Sequence, residues 1–365
     1  MGDWDGAVAA YAEAFRAGES PGEPRAVLRH GEALEAGGQV EAAERAFWRA
    51  SSAAEPDVAA AAWHNLYRYA ARRGDVAACE QALEAVIATG DPDEVPRAYR
   101  NLGTLLEDER QDVERAHRAY EMAINSGHPL HSKGARVNLG QLLEREGRAP
   151  DAAELYRAVA ASGHPVEGPR AQFLLGLLLI SQGDDADALA LFESAMQGGN
   201  EEWAARSALE AGQMYLLQLG DPQHAAETLQ LAESIPDVEP AQLAAMFGGM
   251  AAQQLGRETD AEAAYRRALD MQPGQPTGAG CLAAKHLGTM YLQRGELTAA
   301  REFLSLAVRS EDPESRARGL LLLGLCEIQA GAPRAAAEAF ERAALVPGVP
   351  ADVEAMARQH LANMA

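Results

Sequence analysis

Apolar and small residues recur along the chain in blocks that fit one face of a helix, and the blocks themselves repeat. A small residue marks the middle of every other block: Gly31, Gly103, Gly140, Gly176, Gly212, Gly249, Gly288 and Gly324, with Tyr67 as the exception. Counting Tyr67, the steps between markers are 36, 36, 37, 36, 36, 37, 39 and 36 residues. Downstream of each marker comes a small–large–small triad: Ala43-Phe47-Ala50, Cys79-Leu83-Val86, Ala116-Tyr120-Ala123, Ala152-Tyr156-Val159, Ala188-Phe192-Ala195, Ala225-Leu229-Ala232, Ala261-Tyr265-Ala268, Ala300-Leu304-Ala307 and Ala336-Phe340-Ala343. Spacings of four and then three put all three residues on one helical face. Small residues let two helices approach, and the large one fills the gap between them.

Between marker and triad lies a Gly with polar neighbours, as in Gly74-Asp75, Gly183-Asp184 and Gly295-Glu296, which is a helix stop followed by a start. A Pro often closes the unit: Pro92, Pro129, Pro165, Pro236, Pro273 and Pro313. The pattern predicts a helical hairpin repeated about nine times over 23–348. One hairpin cannot bury its apolar face alone, so neighbours must stack, which fixes the skeleton and lets the surface residues drift. No strand pattern competes.

These residues resemble the tetratricopeptide repeat (TPR) family. Trp63-His64-Asn65-Leu66, HLGTMYLQRGELTAA (286–300) and AEAAYRRALDMQP (261–273) follow that family's order of large residue, Leu-Gly, aromatic, Ala, aromatic, Ala and Pro. The SGHP turns at 126–129 and 162–165 look like a bacterial, actinobacterial-type variant with a period near 36. The resemblance implies an all-α, right-handed TPR-like α-solenoid: a superhelix of about nine hairpins with single helices at its ends, forming one domain over 1–365. The ends are expected to be an unpaired helix over 1–20, matching a second helix only, and a capping helix over 351–365. The widest step contains GQPTGAGC (274–281), a candidate hinge.

Composition narrows the function. Apolar residues make up 47% and aromatics 5%, which favours close-packed helices, and the net charge is -22. Nucleic-acid readers neutralise phosphates with Lys and Arg, so this balance argues against a nucleic-acid partner and equally against an anionic membrane. The longest greasy stretch, 173–180, is too short to span a bilayer. The start MGDWDGAVAA has no basic, apolar leader pattern. Cys79, Cys281 and Cys326 are widely spaced, suggesting neither zinc nor a disulfide framework and favouring a cytoplasmic, reducing setting. Cys79 occupies an Ala-type packing slot and Cys326 lies beside Gly324, so both are expected in the core.

No nucleophile–base–oxyanion set, H-E-x-x-H pair or phosphate loop is present, so no catalysis, metal or cofactor is expected. His128 and His131 are read as a turn residue and a neighbour rather than metal ligands.

In TPR proteins the residue two before the marker faces the concave groove. Here it is Asn65, Asn101 and Asn138 in successive repeats, from six Asn in the chain. An Asn carboxamide both donates and accepts, so such a ladder could hold the backbone of an extended peptide; the competing reading is Asn bonded to neighbouring helices or water. His64, Arg68, Arg72, Arg97, Arg100, Gln141 and Arg145 share this face and point to an acidic or carboxylate-bearing protein or peptide. Arginines paired internally, to Glu107 and Asp108 among others, are the alternative. Further along, Phe173, Leu177, Ile180, Leu209, Met246 and Met250 form either an apolar groove strip or helix–helix core.

The expected function is therefore non-catalytic protein–protein recognition. The alternatives are a self-associating scaffold, dimeric through Trp4, Val8, Tyr11 and Phe15, and the sensing arm of a larger signalling protein.

Overall fold

A computed structural model describes residues 23–234, 237–272 and 278–364, with positions 6, 8, 10, 11 and 13 near the start. All secondary structure among these residues is helical. The chain packs as two units, residues 1–171 and 172–365, each taken by itself below.

In the first unit the helices pair as α1 (Pro24–Ala36) with α2 (Val40–Ala50), α3 (Pro56–Arg72) with α4 (Val76–Thr89), α5 (Glu94–Asp108) with α6 (Val113–Asn125), and α7 (His131–Arg145) with α8 (Ala149–Ala160). Helix α9 (Glu167–Gln182) begins there and runs into the second unit. The second unit continues with α10 (Asp185–Met196), α11 (Glu201–Leu217), α12 (Pro222–Ala232), α13 (Val238–Gln254), α14 (Glu258–Asp270), α15 (Gly278–Gln293), α16 (Leu297–Ala307), α17 (Pro313–Gln329), α18 (Pro333–Ala344) and α19 (Ala351–Met364).

The markers and triads form the hairpin core. Every triad residue is at most 3% exposed. A Cβ on Gly103 would lie 2.5 Å from the Tyr120 ring, on Gly249 2.5 Å from Tyr265, and on Gly324 2.5 Å from Phe340. At these markers Gly is required because the large residue of the facing helix occupies the space a side chain would need. A tyrosine in that slot also reaches through to the first helix: the Tyr120, Tyr156 and Tyr265 hydroxyls donate to Glu107, Glu144 and Gln253 at 2.8, 2.5 and 3.0 Å. Cys79, Cys281 and Cys326 are buried.

The turns follow the sequence signals. Gly74 takes φ +68° and Asp75 caps α4, its carboxylate accepting from the Ala78 amide at 3.0 Å. The equivalent turn position before α6 is Gln111, at φ 53° the only non-glycine with positive φ among the described residues. The SGHP turns repeat one hydrogen-bond set. Ser126 Oγ donates to the Ala123 carbonyl, and His128 Nδ1 accepts from the Leu130 and His131 amides at 3.3 and 3.1 Å. Ser162 and His164 repeat this set at the start of α9.

In the first unit α1, α3, α5 and α7 touch in succession, and in the second α11, α13, α15, α17 and α19 do, whereas second helices do not touch one another among the described residues. First helices therefore wall one side of each unit. The ends are less fully described. Val8 packs against the cluster around Val27 and Leu28, and Tyr11 meets His30 edge-on at 6.0 Å between centroids. Trp4 and Phe15 lie outside the described residues, as do 273–277 of the candidate hinge, while 278–281 form the first turn of α15. Val353 and Ala357 anchor α19 in the cluster that holds Phe340.

Candidate functional site

The first unit's wall of first helices is polar and carries a cavity of about 350 Å³. Arg100, Asn101, Thr104, Glu107 and Asp108 line it from α5, and Asn138, Gln141 and Arg145 from α7. Tyr120 and Arg170 complete the lining. These groups converge because α5 and α7 hold equivalent positions in successive hairpins, so residues just before and after the marker of each helix face the same space.

The three ladder asparagines have different partners. The Asn101 carboxamide makes no hydrogen bond among the described residues and faces the cavity. Asn138 is engaged twice, donating from Nδ2 to Thr104 at 3.4 Å and accepting from Arg170 at 3.0 Å. Asn65, outside the cavity, accepts from Arg68 at 2.9 Å. The chain's own side chains thus use part of the ladder.

The arginines are largely neutralised from within. Arg68 and Arg72 converge on Glu35 at 3.1 and 3.4 Å, and Arg97 lies 3.6 Å from Glu94. Arg145 binds Glu107, which also accepts from Tyr120. Burial, the largest influence, holds the Glu107 carboxyl above its usual range. Arg170 donates to Gln141 at 2.8 Å and lies 3.4 Å from Glu167. Arg100 is different: among the described residues its guanidinium has neither hydrogen bond nor ion pair. Burial pushes its guanidinium below its ordinary value, with the Glu167 charge pulling the other way.

His64 is only 8% exposed, its Nδ1 3.9 Å from Glu94. Burial, then Arg97 and Arg68, lowers His64 to about 4. His131 is likewise lowered to about 4, by burial and then Arg100. Both imidazoles are neutral near pH 7, so they support the wall's packing rather than add charge to it.

Sequence reasoning did not single out Thr104, Glu167 or Arg170. Arg170 was findable, since it sits six residues before its marker as Arg97 does.

The apolar residues divide. Leu209 and Met246, at 7% and 2% exposure, belong to helix–helix core clusters, which corrects the groove reading for these two. Their register turns them toward neighbouring helices, where apolar area is removed from water. Phe173, Leu177, Ile180 and Met250 are half-buried. The Phe173 ring lies 5.9 Å from Phe192 and 5.5 Å from Trp203. Among the described residues, no helix is long and apolar enough to cross a membrane.

Comparison with known proteins agrees with this construction. The tetratricopeptide repeat model matches residues 1–57, 105–165, 137–202, 214–276 and 248–316. No curated protein matches the chain. Among solved structures, a protective antigen of uropathogenic Escherichia coli with an SLR fold superposes with a TM-score of 0.62 at 16% identity, over 98% of this chain and 74% of that one. PilW, a type IV pilus biogenesis factor, gives 0.46 at 19% identity over 61% of this chain and 97% of its own. A tetratricopeptide repeat protein from Parabacteroides merdae gives 0.43 at 17% identity over 74% and 98%. At such identities the likeness concerns the fold alone. Given repeat matches over most of its length and a hairpin core built on glycine against a large facing side chain, the chain belongs to the tetratricopeptide repeat family.

Proposed function

We propose that this protein is a non-catalytic recognition module that holds an extended segment of another protein against the inner wall of its first unit. One observation carries the reading: Asn101 faces a cavity with its carboxamide unbonded to the protein, beside Thr104, Asn138 and Gln141. A carboxamide there can donate to a guest carbonyl and accept from a guest amide. The net charge of -22 supports a protein guest over nucleic acid. Three widely spaced, buried cysteines without a paired spacing support a reducing, cytoplasmic setting. The self-association alternative draws no support from Val8 and Tyr11, which lie against the chain's own first hairpin.

The test is affinity capture from the native host, identification of the bound protein, and titration of that partner against Asn101→Ala. Two lost hydrogen bonds at about 1 kcal/mol each predict roughly a tenfold or greater weakening. Unchanged affinity rejects the role of Asn101.

A further inference from the structure

We infer that the guest of the first unit is bipolar: an extended segment with a carboxylate and a cationic side chain an odd number of residues apart, the carboxylate against Arg100 and the cation against Asp108. This inference rests on the recognition reading above and adds the chemistry of the guest.

Arg100 lodges against Gly134, where a Cβ would come within 2.8 Å of its Nη1 and 3.0 Å of Glu167 Oε1. Gly134 is not a marker, and a glycine inside a helix such as α7 costs about 1 kcal/mol relative to alanine. The room it leaves holds a half-buried guanidinium without hydrogen bonds. Such a group is costly until an acceptor arrives, and its fork of donors matches a carboxylate. Glu167 is the nearby internal charge and attracts Arg100 at longer range, but its ion pair is with Arg170 and it makes no hydrogen bond or ion pair with Arg100 among the described residues.

The opposite end of the cavity has the opposite sign. Asp108 lies eight residues further along α5, about 12 Å at the helical rise. It is 54% exposed and reaches Arg145 only at 4.0 Å. Glu107 beside it is already satisfied by Arg145 and Tyr120. A guest with acids alone would bring like charge to Asp108 and Glu107. A guest with bases alone would leave Arg100 without its acceptor.

The parity follows from strand geometry. A backbone bonded to Asn101 on α5 and passing over α7 crosses the wall, so its alternate side chains point to opposite edges. An acid reaching Arg100 and a base reaching Asp108 must then be one or three residues apart, not two.

The experiment is selection of a displayed random decapeptide library on the full chain. The expected result is enrichment of acid–base pairs at separations of one and three over separation two. With a selected peptide, Arg100→Gln should weaken binding at least tenfold and abolish selection for the acid, while selection for the base remains. Arg100→Glu with Asp108→Arg should reverse the order of acid and base. Arg100→Met serves if a polar replacement unfolds the repeat, which circular dichroism reports. Peptides enriched without the parity rule, or bound equally by Arg100→Gln, overturn the inference; if Asn101→Ala still abolishes their binding, the recognition reading stands. If no peptide is enriched over the bare support, both fail.

Discussion

Gly249→Ala would ordinarily stabilise a helix, because alanine has the best helix propensity and glycine is about 1 kcal/mol worse. In α13 the sign should reverse. The new Cβ would lie 2.5 Å from Tyr265 Cε1 and 2.6 Å from Cδ1, and Tyr265 has no exposed surface through which to retreat. Its hydroxyl is also held by Gln253 at 3.0 Å. Overpacking of this kind costs about 1–3 kcal/mol, and with about 1 kcal/mol of propensity offsetting it the substitution should cost about 0–2 kcal/mol net. Tyr265→Ala removes the obstacle, at about 3–5 kcal/mol of its own. In that background Gly249→Ala should instead stabilise by about 0.5–1 kcal/mol, a coupling of roughly 1–3 kcal/mol across the cycle. Urea titration followed by circular dichroism, with hydrogen exchange over α13 and α14 to localise the loss, measures all four corners. If Gly249→Ala stabilises the parent protein, or if the cycle shows no coupling, the account of the markers as space for the facing side chain is wrong.

Other outcomes follow from the same geometry. Gln111→Gly should raise stability by about 0.5–1 kcal/mol, because it relieves strain of about 1–2 kcal/mol for an L side chain at φ 53° and adds back about 0.5–1 kcal/mol of glycine chain entropy; an unchanged urea midpoint would count against strain there. His64 and His131, both lowered to about 4 by burial, resist protonation when folded, whereas an unfolded histidine takes its proton near pH 6.5. The unfolded chain therefore binds more protons across that window. Their contribution to stability is fully present above about pH 6.5 and fades as pH falls toward 4. Urea midpoints at stepped pH should fall with acid more gently in a His64→Gln, His131→Gln double variant, and identical slopes would contradict this.

The hairpin arrangement was legible in the sequence because its cause is local and periodic. Triad spacing puts Ala261, Tyr265 and Ala268 on one face whatever surrounds them, and the ring of Tyr265 leaves no space for a Cβ at Gly249. Turn chemistry was equally readable in Gly74-Asp75 and in the SGHP turns, since each acts within a few residues.

The wall was only half legible. Register placed Asn101, Asn138, Arg100 and Arg145 on one surface, but partners 30 or more residues away decide which are free. Glu107 takes Arg145, Glu35 takes Arg68 and Arg72, and Arg170 takes Asn138, while Asn101 and Arg100 remain unbonded. Leu209 and Met246 show the same limit, because a strip of apolar residues in the groove register has the same spacing as a core. The sequence by itself determined the repeat, its caps and its packing glycines, since these obey rules acting within one hairpin. Only the tertiary structure decided which polar groups of the first-helix wall spend their hydrogen bonds on the chain itself and which remain unbonded, because that depends on charges brought together by stacking.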